Sequence, residues 1–480
     1  MQEAVPSSLN LLQAREPIIH MPAQSGVRQA RIFAERSSGQ ADAAERNELV
    51  RATYTLVLAG GRGSRLQELT ELESKPAMPF GGQLRIIDFT LSNCINSGLR
   101  QISVLTQYKA QSLIRHLSRG WNFLDGCRDE YIDIVPAQQK IGDNWYGGTA
   151  DAVFQNLDLI KAAGKRYVLV LAGDHVYQMD YGQLIVEHVR RQADATVACT
   201  EVDLDKASDF GVMGVDGERR VVSFAEKPAK PKPMPGRSDK VLASMGIYVF
   251  DADFLIRELK RDAADPRSRH DFGRDIIPGA LSRARVFAHD FADSCRGSVD
   301  GSPYWRDVGT LDAYWNANLD LLGPDRTLNL NDADWPIRGA PQALPPPRFE
   351  SGAGGRSIEL CDSIVSAGCI VRGATLRRTM LCQNVEVRSG SLVDHSLLLP
   401  GVVVGRRAVV RRAIIDSGCV LPDGIKIGVF PAEDAQRFTV TKGGVVLVTA
   451  EMLAGLPQPE RCRFTEALAC ANGTSEAIEA

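Results

Sequence analysis

Glycines and basic side chains gather in one short stretch of the chain: Leu58-Ala59-Gly60-Gly61-Arg62-Gly63-Ser64-Arg65-Leu66, followed by Lys75 in Ser74-Lys75-Pro76-Ala77. Gly60, Gly61 and Gly63 carry no Cβ, so their backbone N–H groups can approach phosphate oxygens closely, and Arg65 can fork onto charge that develops there. A lysine before a proline is expected in extended backbone, from which Lys75 can be aimed back at the loop. The pattern fits neither the dinucleotide GxGxxG template nor the P-loop GxxxxGK[ST] template, so hydride transfer and P-loop hydrolysis lose their main support.

The elements that must position these residues follow from periodicity. Tyr54-Thr55-Leu56-Val57-Leu58-Ala59 is an apolar run stopped by Gly60-Gly61, a strand followed by a turn. Further short apolar runs occur at Ile102–Leu105, Tyr167–Leu171, Ala195–Ala198 and Met245–Phe250, and segments 106–119 and 180–193 between them have apolar spacing near 3.6. Alternating strands and helices predict an α/β fold with a mainly parallel sheet, whose ligands collect at the carboxyl ends of the strands. Residues 323–355, with Pro324, Pro336, Pro341, Pro345, Pro346 and Pro347, read as a linker. Beyond it the period becomes six: Ile364, Ile370, Leu376; Val387, Val393, Leu399; then Val403, Val409, Ile415, Leu421 and Ile427. A hexapeptide period predicts a C-terminal left-handed parallel β-helix over 356–455, with breaks near 381 and 400. The expected domains are therefore an extension over 1–50, poorly ordered in part, a domain over 51–322, the linker, the β-helix and a tail over 456–480.

Composition narrows the classes. The 480 residues carry 56 basic and 59 acidic side chains, net −3, which gives no bulk reason to expect nucleic acid or an anionic membrane as partner. Phosphate binding must be local. No run of about 18 apolar residues and no secretory signal is present, so a cytoplasmic location is expected. The ten cysteines show no CxxC or Cys/His ligand spacing and read as buried thiols.

The glycine-rich loop with Lys75-Pro76-Ala77 resembles the signature of the sugar-phosphate nucleotidylyltransferases. Phe89–Gly98, Pro136–Gln139, Trp145–Ala152, Leu171-Ala172-Gly173-Asp174-His175 and Tyr304-Trp305-Arg306-Asp307-Val308-Gly309-Thr310 are similar to bacterial members of that family that make ADP-glucose, and the likeness spans about residues 54–455. It implies a Rossmann-like, GT-A-like catalytic domain with a mainly parallel mixed sheet, and glucose-1-phosphate adenylyltransferase activity: ATP and glucose 1-phosphate give ADP-glucose and pyrophosphate, in α-glucan (glycogen) synthesis. Both reactants are anions, so charge neutralisation and alignment supply most of such catalysis.

The resemblance assigns catalytic roles to Arg65, Lys75, Asp174 and Asp307, with Asp174 and Asp307 holding Mg²⁺. It places glucose 1-phosphate on Tyr146, Gly211, Glu226, Lys227 and Ser244, and ATP on Ala59, Gly60, Gly61, Gly63 and Gln107. It further implies a homotetramer controlled by small anionic effectors, with Arg85 and Arg437 as effector contacts. Here the sequence departs from the enteric type, which answers to fructose 1,6-bisphosphate: Glu71-Leu72-Glu73 precedes the Lys-Pro-Ala where basic residues are expected, Val440 replaces an arginine and Pro79 a histidine.

Three rivals stay open at this level. Another nucleotidylyltransferase would share the loop, a silent regulatory subunit would share the fold, and hexapeptide domains often belong to acyltransferases. The joint presence of Arg65, Lys75, Asp174, Lys227 and Asp307 opposes the second, and His395, the only histidine of the β-helix, offers the third little.

Overall fold

The computed structural model describes residues 42–456 apart from Arg62, residues 141–144 and Pro235. The extension expected over 1–50 lies outside the described residues as far as position 41, and the tail expected over 456–480 lies outside them from 457 onward. Residues 42–47 are helical, and a separate compact unit begins at Glu48.

A nine-stranded mixed sheet dominates the first part of that unit. Its strands are β1 (Thr53–Ala59), β2 (Gln101–Thr106), β3 (Tyr131–Pro136), β4 (Tyr167–Ala172), β5 (Ala195–Asp203), β6 (Gly211–Val215), β7 (Val221–Glu226), β8 (Lys240–Asp251) and β9 (Val286–Asp290). The path runs β7-β6-β8-β4-β1-β2-β3, with β5 paired to β8 and β9. β4, β1, β2 and β3 are parallel, whereas β8 runs antiparallel to β4, β5 and β6. Successive side chains on a strand point to opposite faces. Leu56, Val168, Val170 and Phe250 accordingly pack into one apolar layer, and Val57, Leu169, Leu171 and Val249 into the other. Both layers are covered by helices, and so the strands read as continuous apolar runs.

Two local expectations are corrected. The segment 106–119 becomes helical only at Gln111 (Gln111–Gly120), because Lys109 takes a positive φ of 42° and the chain between turns along the strand ends. Lys75 opens a one-turn 3₁₀ helix, Lys75–Ala77, while Ser74 before it is the extended residue. The turn is closed by Ala77 N–H donating to Ser74 O and Met78 N–H to Lys75 O, which outweighs the pre-proline preference.

The second part is a parallel β-helix of three faces. Strands stack in parallel on each face, as in Glu386–Val403, Leu392–Val409 and Leu397–Ile414, partners that stand 17 residues apart. A coil of 17 cannot keep a strict period of six. The inward residues are therefore Val387, Val393, Leu398, Val404, Val410, Ile415, Leu421 and Ile427, one face per coil being a residue short. Leu398, Val404 and Val410 replace the expected Leu399, Val403 and Val409; Leu399 is buried on a different apolar cluster, while Val403 and Val409 are only half-buried. The first strand of this domain, Arg348–Glu350, pairs with Ile370–Arg372 and lies within the stretch read as linker. Three residues are too few to show a period. Tyr314 and Trp315, on the helix Leu311–Leu319, pack with Met380, Leu397, Ile414 and Leu447, so sheet domain and β-helix share an apolar core. Among the described residues no helix is long and apolar enough to cross a membrane.

Candidate active site

The parallel strands β1, β2 and β4 end side by side, Ala59 beside Thr106 and Leu58 beside Ala172. Their carboxyl ends open into a cleft of about 1060 Å³. After β1, Gly63 has φ of 63°, and a Cβ there would lie 3.1 Å from Lys75 Cβ. A Cβ on Gly60 would meet Gln107 Cβ at 3.1 Å. The glycines thus let the loop settle between the Lys75 turn and the end of β2, where Gly60, Gly61 and Gly63 line the cleft.

Lys75 is 5% exposed, and its Nζ donates to Asp174 Oδ2 at 3.0 Å and to Asp307 Oδ1 at 2.9 Å. Arg65 adds an Nη2 contact to Asp307 Oδ2 at 3.2 Å and an Nη1 contact to Asp209 Oδ1 at 3.3 Å. His175 Nε2 stands 3.4 Å from Asp307 and 3.6 Å from Asp174. Desolvation would raise the carboxyl of Asp307, but the hydrogen bond from His175 and the charge of Lys75 outweigh it and hold the group well below the usual range. Asp174 is lowered in the same way, against desolvation, by Lys75 and His175. The ammonium of Lys75 is raised in turn, because the two carboxylates more than offset its burial.

A divalent metal fits these residues. Donor atoms of Asp174, His175 and Asp307 all lie within 4.8 Å of one another, and both carboxylates stay ionised. Two hard oxygen donors that keep their charge suit a hard divalent cation.

At the other end of the cleft, Glu226 ends β7 and lies between two glycines. A Cβ on Gly211 would fall 2.8 Å from Glu226 Oε2, and one on Gly273 would fall 2.6 Å from it. Desolvation, then the nearby charge of Asp271, raises the carboxyl of Glu226. Lys227 has a positive φ of 48° and donates its N–H to Phe210 O at 3.0 Å, a kink that turns the side chain away from the strand line. Ser244 sits where β8 shifts register between Ser244 and Tyr248, and Ser244, Met245 and Gly246 of this irregular stretch line the cleft. Tyr146 OH accepts from Asn156 Nδ2 at 2.9 Å, and Gln107 Nε2 donates to Tyr146 O at 3.4 Å, which ties two sides of the cleft together.

Arg65, Lys75, Asp174, Asp307, Tyr146, Gly211, Glu226, Lys227, Ser244, Ala59, Gly60, Gly61, Gly63 and Gln107 all line this one cleft. Arg85 and Arg437 do not. Arg85 Nη1 contacts Glu73 Oε2 at 3.4 Å and the Ala77 carbonyl, while Arg437 Nη2 contacts Lys426 O at 2.9 Å and Asp434 Oδ1 at 3.1 Å. Asp209, Asp271 and Gly273 were not singled out in the sequence, though they line the cleft, and so does His175. His175 closes the quoted motif Leu171–His175, where no role was given to it. Asp271 caps the short π-helix Phe272–Ile276 and Gly273 lies in it, five residues too few to show a period.

Residues 54–323 match the Nucleotidyl transferase family, and residues 345–448 match the GlmU-like C-terminal hexapeptide family, in keeping with a left-handed β-helix. The chain is 52% identical over 413 residues to the glucose-1-phosphate adenylyltransferase of Nitrosospira multiformis, covering 86% of this chain and 97% of that protein. Proteins of the same name from Methylobacillus flagellatus (55% over 405 residues, 84% and 95% covered) and Dechloromonas aromatica (53% over 408 residues, 85% and 93%) are similarly close.

Proposed function

The chain belongs to the glucose-1-phosphate adenylyltransferases, and from that membership we propose how its cleft joins ATP and glucose 1-phosphate into ADP-glucose and pyrophosphate. The reading is carried by one observation, Lys75 held between Asp174 and Asp307 at the mouth of a glycine loop, in the same cleft as Glu226 and Lys227.

The loop N–H groups of Gly60, Gly61 and Gly63 bind the triphosphate, and Arg65 and Lys75 neutralise its charge. Lys227 takes the phosphate of the sugar, while Glu226 and Ser244 accept or donate to sugar hydroxyls beside Tyr146. An oxygen of the sugar phosphate then attacks the α-phosphorus of ATP, and the bond to pyrophosphate breaks on the opposite side. Asp174 and Asp307 would hold a divalent cation, Mg²⁺ in our reading, which would supply positive charge to offset the negative charge of the phosphate oxygens. No protein nucleophile is required. Incubation with glucose 1-phosphate, Mg²⁺ and each of ATP, dTTP, UTP and GTP tests this; ADP-glucose should dominate, and equal turnover of another triphosphate would overturn the base preference.

The regulatory part of the reading rests on Arg85. Its guanidinium is engaged by Glu73, so a bisphosphate arriving there meets a carboxylate already in place. Weak response to fructose 1,6-bisphosphate and stronger response to a smaller anion at Arg85, Arg437 and Lys442 are expected. Activation by micromolar fructose 1,6-bisphosphate would refute it. A homotetramer is supported by the first coil of the β-helix, where Phe349 and Leu360 stand in register with buried Val371 and Leu376 yet are 48% and 47% exposed. Light scattering that gave a monomer would count against assembly. A cytoplasmic setting fits this substrate pair.

A further inference from the structure

The last hairpin of the β-helix, Thr439–Val440 paired with Val446–Val448, touches the catalytic segments at two points. Thr439 Oγ1 donates to Glu68 Oε1 at 2.7 Å, and Glu68 belongs to the 3₁₀ segment Ser64–Thr70 that also carries Arg65. Thr441 Oγ1 donates to Asp312 Oδ1 at 2.7 Å, and Asp312 lies in the first turn of the helix Leu311–Leu319, just after Asp307. Arg65 and Asp307 are themselves paired at 3.2 Å. The contacts therefore close a ring: Arg65 to Glu68 along the chain, Glu68 to Thr439, Thr439 to Thr441, Thr441 to Asp312, Asp312 back to Asp307, and Asp307 to Arg65.

Each part of the ring is held from outside. Val445 N–H donates to Thr441 Oγ1 at 3.0 Å, which orients the hydroxyl proton toward Asp312. Arg412 donates to Gly443 O from Nε at 3.1 Å and from Nη2 at 2.7 Å, and its guanidinium lies 4.8 Å from the centre of the Trp315 ring on the same helix as Asp312. Gly443 lies so near Asp312 that a Cβ there would collide with Oδ1. On the other side, Gln67 next to Glu68 has φ 53° and ψ −130°, a conformation non-glycine residues avoid, so the segment after Arg65 is held against its own preference. Glu68 Oε2 is buried without a hydrogen-bond partner, so the Thr439 hydroxyl on Oε1 is the contact that offsets the burial of this carboxylate.

We propose that Thr439 and Thr441 are positioning residues for the reaction: the β-helix hairpin works as a cross-brace that sets Arg65 relative to Asp307. Their hydroxyls touch no reacting atom. They act by keeping two separate catalytic segments at a fixed spacing, and displacement of a reacting group by even an ångström costs much of its rate. The proposal deepens the adenylyltransferase reading and rests on it for the roles of Arg65 and Asp307.

Thr439→Val and Thr441→Val remove the hydroxyls at nearly constant shape. Each should lower kcat by roughly tenfold with KM for either substrate changed less than about twofold, because alignment and not binding is lost. The double variant should fall no further than the worse single one, since a ring opened once is open. Thr441→Ser keeps the hydroxyl and should restore the rate. In hydrogen exchange, Thr441→Val should speed exchange in residues 64–70, which it does not touch. Unchanged kcat in the folded double variant, additive losses, failure of the serine variant to restore the rate, or faster exchange confined to residues 307–312 would each overturn the brace. If the parent chain makes no ADP-glucose, the functional reading fails and the exchange result alone decides the brace.

Discussion

Lys75, Asp174 and Asp307 meet at the strand ends of the α/β sheet from positions 99 and 232 residues apart in sequence, whereas in the β-helix each buried side chain rests on its equivalent one coil later. The first region buries charge, and the second buries almost none. Lys75, Asp88, Asp180 and Glu258 are inside the sheet domain, while the coil interior holds Val, Leu, Ile, Ala and Cys. A buried ion pair contributes little net stability, since desolvation consumes much of its attraction, and losing one partner is costly. Repeated apolar contacts are individually small and add up. Stability thus rests on repetition in one region, and chemistry on single, irreplaceable residues in the other.

The sharpest way to break this contrast is Asp174→Asn, which removes one negative charge at nearly constant volume. We expect kcat to fall ~10²-fold or more, about 2.7 kcal/mol of transition-state stabilisation, with an unchanged circular dichroism spectrum. A folded variant with near-normal kcat would remove Asp174 from the metal site.

A β-helix substitution should do the reverse. Val410→Ala, at a fully buried inward position, is expected to cost about 2 kcal/mol of stability through lost burial and a residual cavity while leaving kcat alone. Val409→Ala, one residue along and half-buried, should cost much less. Equal losses in urea unfolding would restore the strict six-residue register.

Lys227→Ala separates the two ends of the cleft. The KM for glucose 1-phosphate should rise ~10-fold and that for ATP hardly at all. Equal increases would show that the two substrate walls have been wrongly divided.

The last effect concerns acid and vanishes at neutral pH. His188 is fully buried, and burial lowers its imidazole from 6.5 to about 4. Between those values the unfolded chain binds a proton that the folded one refuses, so stability should fall as pH drops from about 6.5 toward 4, by at most about 1.4 kcal/mol per unit. His188→Gln should flatten that slope by one proton in urea titrations at fixed pH values. An unchanged slope would place the acid sensitivity elsewhere.

The sequence by itself determined the strands and the chemistry of the loop. Apolar runs such as Tyr167–Leu171 are buried on both faces, so their composition alone marks them as central strands, and glycines at 60, 61 and 63 announce a backbone that must come close to something. It also showed the six-residue rhythm of the coil. Tertiary structure decided the rest. Whether Val409 or Val410 points inward depends on a coil of 17, a closure condition of the stacked turns that no single hexapeptide carries. Asp271 and Gly273 join Glu226 only because the short helix Phe272–Ile276 packs against the end of β7, and Thr439 meets Glu68 only because the β-helix docks on the helix Leu311–Leu319. Local sequence sets periodicity and conformational freedom, and which distant side chains then share a site is set by how the layers pack.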